Sequence, residues 1–430
     1  MHDQLISTIE TLNPWLVDQN ASIHNESHYI PRYQTAKLLL PEWDNLWLIL
    51  VGPRQAGKTT LGKHLCHQLI HVEKRFTSLL YLNCDYLEIR QWLKTPAFIK
   101  QAQQYFRLKN PIIFIDEVQR LENPGLLLKT IADLKLPIKM IATGSSQLEL
   151  RSQVQEFLTG RHLESLVLPL SFAELNEIEP INLTYGCYPA IVQSTQKKLI
   201  LQQLYRDYIQ KDIIEILKIG KPDILQNLVS LIAHSSGQLV NYQQLATDCQ
   251  TSIPTIQNYI SILKQTYTIS ELKPFVGNKR KEIKSNPIYY FIDNGFRNQA
   301  LHNFTPLSTR QDTGLLIESA IFQEILKLRA QHFLDFKIHF WRTQSGAEVD
   351  FILRQGQARL LPIEVKYQNM TQAKISRSFR SFIDAYQPQT GIFVTKDFND
   401  VVTINNCSIH FISLTKVGKA IGLVEEWSSQ

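Results

Sequence analysis

The apolar run Leu46-Trp47-Leu48-Ile49-Leu50-Val51 leads directly into the sequence GPRQAGKT at residues 52–59. This G-x-x-x-x-G-K-[ST] pattern demands a buried strand before it and a helix after it. Its backbone N–H groups can converge on phosphate oxygens only if the loop curls between two fixed ends. Leu61, Leu65 and Leu69 recur at four-residue spacing after the loop, as a helix with one apolar face requires. The expected phosphate-binding residues are Gly52, Pro53, Arg54, Gln55, Ala56, Gly57, Lys58, Thr59 and Thr60. Lys58 brings a point charge to the β and γ oxygens, and the Thr59 hydroxyl can ligate Mg2+. The pattern predicts a site for ATP or GTP.

A second strand, Pro111-Ile-Ile-Phe-Ile-Asp-Glu117, ends in two carboxylates. Asp116 is placed to hold the Mg2+ shell and Glu117 to polarise the attacking water, so hydrolysis is favoured over binding alone. A third strand over residues 138–146 ends in small hydroxyl residues. Ser145 is the candidate γ-phosphate sensor, ahead of Thr143 and Ser146, and its alternative role is to cap the next helix. Arg161, in the turn Leu158-Thr-Gly-Arg161, is the candidate for stabilising transition-state charge in cis or from a neighbouring subunit; Arg151 is the other arginine in reach.

At 430 residues, with 44% hydrophobic and 20% charged residues, the chain is expected to form two or three globular domains. A net charge of +6 permits nucleic-acid binding without demanding it. Five scattered cysteines show neither a disulfide framework nor zinc spacing. The sequence has no apolar window near the roughly 18 residues that a membrane span needs, and its amino-terminal stretch lacks a basic flank and apolar core. A cytoplasmic protein without membrane contact is the expectation.

The expected organisation is a lead-in over 1–41, a P-loop α/β domain with a largely parallel sheet over 42–170, a helical linker or lid over 171–223, a winged helix over 224–313 and a nuclease-like α/β domain over 314–430. Leu166–Leu170 reads as the last strand of the first sheet, and Leu79–Asp85 as another. In the middle region, helical patterns over 242–249 and 252–264, with Ser252 as N-cap and Pro254 in the first turn, read as helix-turn-helix. Thr255, Gln257 and Asn258 could face base edges, and the hairpin tip with Lys279, Arg280, Lys281 and Lys284 could contact phosphates of double-stranded DNA. The same module could equally serve protein or interdomain contacts.

Towards the carboxyl terminus, a helix carrying Glu318 precedes a strand with Asp350 and a strand with Glu364 and Lys366. Strand alternation puts Glu364 and Lys366 on one face. Two carboxylates with a nearby lysine can hold a divalent ion and activate water, and the arrangement looks like a PD-(D/E)xK nuclease core with Glu318 as a further ligand.

The sequence as a whole resembles the prokaryotic AAA-type ATPases that carry a C-terminal domain of unknown function. The resemblance rests on GPRQAGKTTL, IIFIDEVQRLENP, ATGSS, LTGRHLESLVLPLSFAEL, GCYPAIV, YRDYIQKDI, the helix-turn-helix, WRTQSGAEVDFIL and LPIEVK, spanning roughly residues 30 to 415 in order. It implies ATP rather than GTP, and an AAA-like domain, a winged helix and a nuclease-like domain in one polypeptide; oligomers are common among AAA-type ATPases. The sequence departs from the family at Tyr185-Gly186-Cys187, where paired glycines are usual before Tyr-Pro. Two functions follow as alternatives: an ATP-driven DNA-processing protein, or a regulatory ATPase whose C-terminal domains bind protein partners.

Overall fold

Strands covered on both faces bury every position and are mostly apolar, and three segments of the first third of the chain are buried throughout. They are β1 (Trp47–Val51), β3 (Pro111–Asp116) and β4 (Lys139–Gly144). With β2 (Ser78–Asn83) and β5 (His162–Leu166) they form an all-parallel sheet in the order β2-β3-β4-β1-β5. Alternate residues serve opposite layers. Ile49, Val51, Ile113 and Ile115 pack with the helices Leu87–Trp92, Ala97–Tyr105 and Pro124–Asp133. Leu48, Leu50, Ile112 and Phe114 pack against Leu61 and Leu65 of the helix Lys58–His67. The computed structural model describes residues 3–18, 21–23, 29–144, 160–175, 179–215, 220–276 and 286–429. They divide into two compact units, Met1–Leu168 and Pro169–Gln430.

The last strand of the first sheet lies earlier than the sequence predicts. It runs over His162–Leu166, and the apolar run Val167–Leu170 follows it as irregular chain. Two physical reasons account for the shift. β5 is an edge strand with half-exposed positions, so it carries no apolar run to announce it, and Pro169 has no N–H to extend a ladder. The buried Val167 instead passes close to the phosphate loop. A Cβ on Gly52, at φ 145°, would meet the Val167 carbonyl oxygen at 2.1 Å.

The opposite edge is covered by the amino-terminal segment. Leu5 and Ile9 of the helix Asp3–Leu12 enter the core, and the buried side chain of Asn13 then acts as a substitute strand. Its amide nitrogen donates to the Tyr81 carbonyl at 2.8 Å, and its amide oxygen accepts from the Tyr81 N–H at 2.6 Å. The Trp15 indole N–H adds a bond to the Leu79 carbonyl at 3.0 Å. The open edge of β2 is therefore satisfied without another strand.

The second unit is built on an eight-stranded mixed sheet in the order β12-β13-β11-β10-β9-β8-β6-β7. Its strands are β6 (Ile269–Pro274), β7 (Ile288–Phe291), β8 (Lys337–Arg342), β9 (Glu348–Gln355), β10 (Arg359–Lys366), β11 (Thr390–Thr395), β12 (Asp400–Ile404) and β13 (Cys407–Ser413). The helices Pro222–His234, Tyr242–Asp248 and Ile253–Gln265 precede the antiparallel pair β6–β7, and the Ser252 hydroxyl caps the last of them as the sequence predicts. β6 also pairs with β8, so this hairpin and the terminal strands share one sheet. Gly186, at φ 85°, sits where a Cβ would lie 1.8 Å from an Asp293 carboxylate oxygen, and the next N–H, of Cys187, donates to the other oxygen at 2.7 Å. One glycine is enough for this turn, and the Cys187 side chain is buried in the core.

The Asn13 contact gives a direct test. Asn13→Ala removes both bonds and leaves two buried groups of Tyr81 unpaired, so chemical denaturation should show a loss of roughly 2–3 kcal/mol.

Candidate functional site

The phosphate loop leaves the carboxyl end of β1 and turns through two left-handed residues, Gln55 at φ 58° and Gly57 at φ 96°, before the helix begins at Lys58. Such alternation aims successive N–H groups into one hollow. The Lys58 side chain is buried and donates to the Gly52 and Pro53 carbonyls at 3.0 and 2.8 Å. It lies folded over the loop that it would serve.

Asp116, at the end of β3, is the meeting point of three hydroxyls. Thr59 donates to both of its oxygens at 2.9 Å, Tyr81 donates to Oδ2 at 2.8 Å, and Thr143 donates to Oδ1. The Thr143 hydroxyl also accepts from the Glu117 N–H at 3.0 Å. Glu117 itself adopts φ 55°, a left-handed conformation unusual for a side-chain-bearing residue, and its carboxylate accepts from the Gln119 amide. The hydroxyl of Thr59 beside the carboxylate of Asp116 is a hard-oxygen pair suited to Mg2+, so the residues present fit the ion. Lys63 lies over the Tyr81 ring, 4.2 Å from its centre; burial pulls its pKa down while Asp116 opposes the shift.

The structure sorts the sequence candidates. It brings Lys58 and Thr59, which follow β1, together with Asp116 and Glu117, which end β3, at the carboxyl ends of the two strands that flank β4. Ser145 and Arg151 lie outside the described residues, and Thr143 is the hydroxyl from β4 that contacts the acids. Arg161 sits at the other end of the sheet: its carbonyl accepts from the Trp47 N–H at the start of β1, and its side chain pairs with Asp133 on the surface. The five residues of β1 separate it from the phosphate loop, roughly 15 Å at strand rise. Within one chain Arg161 does not reach the phosphate loop. Tyr81 was missed by sequence reasoning. The available signal was a phenol set in the aliphatic run Ser78-Leu-Leu-Tyr-Leu-Asn83, one strand away from the acids.

In the second unit, Glu318 on the helix Thr313–Gln331, Asp350 on β9, and Glu364 and Lys366 on β10 form one interacting group. Lys366 reaches Glu364 Oε1 at 3.0 Å, as their shared strand face predicts. The Val365 N–H donates to Asp350 Oδ2 at 2.7 Å, and the Tyr290 hydroxyl donates to Glu318 Oε1. Burial pushes the Glu318 carboxyl up to about 7, and burial with the neighbouring Glu318 and Glu364 raises Asp350. Burial pulls Lys366 down, but Glu364 and Asp350 outweigh it and hold the ammonium above its usual value. Glu364 is only 2% exposed, and its carboxylate is bonded by Lys366 and Ser376. Its proximity to the carboxylates of Glu318 and Asp350 is the feature of the cluster that fits a cation. The expected three-carboxylate set is not preformed: among the described residues no three His, Cys, Asp or Glu side chains make a ready metal cage. Each of these carboxylates already has one oxygen engaged, by Tyr290, Val365 or Lys366.

On the helix Ile253–Gln265, Gln257 and Asn258 are exposed and Thr255 is half-buried, its hydroxyl 2.9 Å from that of Ser252. Lys264 is held by Glu271 of β6 at 2.8 Å, which lowers the positive charge of this face. Lys279, Arg280, Lys281 and Lys284 lie outside the described residues. Among the described residues no helix is long and apolar enough to cross a membrane.

Comparison with known proteins adds the following. The chain is 23% identical over 346 residues to an uncharacterized protein of Haemophilus influenzae, covering 74% of this chain and 82% of that one. It is 24% identical over 340 residues to an uncharacterized protein of Methanocaldococcus jannaschii, covering 71% of each. A solved structure of C. elegans PCH-2 is similar at 15% identity over 60% of this chain and 68% of that one, with a TM-score of 0.24, an overlap too loose to define the fold. Residues 44–176 match the family described as an AAA domain. Residues 182–307 and 313–417 match two domains of unknown function, DUF8612 and DUF4143, which follow the AAA domain in order and without overlap.

Proposed function

We propose that this chain is a Mg2+-dependent ATP hydrolase that couples nucleotide state to DNA binding or processing. The observation that carries the first half is the convergence of Thr59, Tyr81 and Thr143 on Asp116, beside a phosphate loop whose lysine is already buried. On ATP binding, Lys58 exchanges the two loop carbonyls for phosphate oxygens, and the N–H groups of the loop take the remaining charge. Mg2+, when bound, neutralises charge on the phosphate oxygens. Tyr81 and Thr143 keep the Asp116 carboxylate in one orientation, and Gln119 holds Glu117 ready to polarise a water. Arg161 acts, in this reading, only on the nucleotide of a neighbouring subunit in an oligomer.

The second half rests on the carboxylate cluster and on the exposed Gln257 and Asn258. The helix pair and hairpin are read as a winged helix that holds double-stranded DNA, and the terminal strands as a nuclease-like domain. Asp350 and Glu364 would hold a divalent ion, with Lys366 positioning the attacking water. The engagement of Lys264 by Glu271 favours the alternative, a regulatory ATPase whose C-terminal domains bind protein.

Three measurements test this reading, and the second and third separate it from the alternative. Lys58→Ala should abolish ATP hydrolysis, and Glu117→Gln should lower kcat about 100-fold or more while ATP still binds. A Glu117→Gln protein that turns over at the wild-type rate would remove the hydrolytic role. Mn2+ binding followed by calorimetry should be lost at the second site in Asp350→Ala and in Glu364→Ala, with the fold intact by circular dichroism; unchanged affinity excludes the nuclease-like reading. Finally, double-stranded DNA should stimulate the Lys58-dependent rate several-fold, whereas indifference to DNA favours the protein-binding alternative.

A further inference from the structure

Where β2 and β3 end, the first unit leaves a cleft of about 520 Å³ whose lining includes neither the phosphate loop nor Asp116 or Glu117. It lies among the helix Leu87–Trp92, the start of the helix Ala97–Tyr105, the turn Val118–Arg120 and the helix Pro124–Asp133. Its volume is in the range of clefts that enclose ligands, roughly 300–1,000 Å³. Two properties of the lining define its chemistry. Arg90, Lys94 and Arg120 face a single acid, Glu122, and the Arg90 Nε is buried without a hydrogen-bond partner. Leu87 and Leu126 are each 56% exposed, an unusual placement for leucines that share a cleft with cations.

We propose that this cleft docks a short acidic peptide segment bearing an apolar side chain, and that its occupation adjusts Glu117. The cations take the carboxylates, and Leu87 and Leu126 cover the apolar side chain. A single-stranded nucleic acid suits the site less well, because base stacking needs aromatic platforms and the lining has none.

The link to Glu117 is short. Arg120 belongs to the same tight turn, and its N–H donates to the Glu117 carbonyl at 2.9 Å. Gln119 of that turn holds the Glu117 carboxylate. The Arg120 side chain pairs with Asp85 at 3.3 Å on the surface, where a peptide carboxylate can replace Asp85. Taking Arg120 from Asp85 shifts the turn on which Glu117 is mounted. This regulatory half rests on the ATPase reading, while the docking half does not.

The full chain is titrated against a short fluorescein-labelled peptide of alternating glutamate and leucine, with binding followed by anisotropy. Polyglutamate, the lysine–leucine counterpart and a single-stranded oligonucleotide serve as competitors. Saturable binding is expected, weakened about tenfold or more by Lys94→Glu and by Leu126→Ser, two exposed positions whose substitution leaves the core intact. Arg90→Gln provides a third variant at the buried nitrogen. Equal binding by these variants, equal competition by polyglutamate, or tighter binding of the oligonucleotide would each overturn the docking site. The peptide should also change the steady-state rate of ATP hydrolysis by the wild type and not by Lys94→Glu. Binding without any change in rate overturns the regulatory half alone. Absence of hydrolysis under all conditions removes the ATPase reading and the regulatory half with it, and the anisotropy still decides the docking.

Discussion

The carboxylate of Asp116 is the fixed point of the first unit. It accepts from Thr59 of the phosphate-loop helix, Tyr81 of β2 and Thr143 of β4, so one side chain ties together the ends of three elements around its own strand. Hydrogen bonds to a charged acceptor are the strong ones, and here they are made where the sheet is shielded on both faces. The positions of Lys58 and Glu117 follow from this arrangement. Lys58 begins the helix that contributes Thr59, and Glu117 is oriented by the backbone turn immediately after Asp116, with Thr143 receiving its N–H. The left-handed conformation of Glu117 costs energy that a surface turn would release. It persists because the hydroxyl of Thr143 and the amide of Gln119 hold the residue from two sides.

The second unit is organised by buried polar groups in a similar way. Lys327 and Glu324 are nearly inaccessible and pair at 2.9 Å on one face of the helix Thr313–Gln331. A buried ion pair is tolerated when its remaining hydrogen bonds are satisfied. Lys327 donates to the Leu170 carbonyl, and Glu324 accepts from the Phe172 N–H, both at 2.9 Å. These bonds fix the helix that presents Glu318 to the carboxylate cluster. Asp293 does comparable work at the Gly186 turn, where any side chain on residue 186 would collide with it.

Much of this was legible in the sequence because the responsible signals are local. A phosphate loop between an apolar run and a leucine-spaced helix can be read directly, and so can an apolar strand that ends in two acids. The spacing of Glu364 and Lys366 correctly placed both on one strand face, and Ser252 was recognisable as a cap. The misplaced last strand shows where such reading fails. β5 is half-exposed and carries mixed residues, while the apolar run after it is buried for another reason, its passage beside Gly52. Burial and strand pairing had become separate, and hydrophobicity reports only burial. A role for Arg161 within its own chain failed similarly, since its distance from the phosphate loop depends on which end of β5 it occupies, and hence on where that strand begins.

The amino-acid sequence alone determined the phosphate-loop pattern with its two acids, the parallel α/β class of the first unit, and the residue types gathered near the carboxyl terminus. Each of these is encoded by neighbours a few residues apart, within reach of one loop, strand or helix turn. Only the tertiary structure decided that Tyr81 and Thr143 complete the setting of Asp116, that Asn13 closes a sheet edge, and that the β6–β7 hairpin joins the sheet of the terminal strands. Those contacts join residues far apart in the chain. Their pairing is chosen by the packing of whole layers and by the need to satisfy every buried polar group, and no single segment records that requirement.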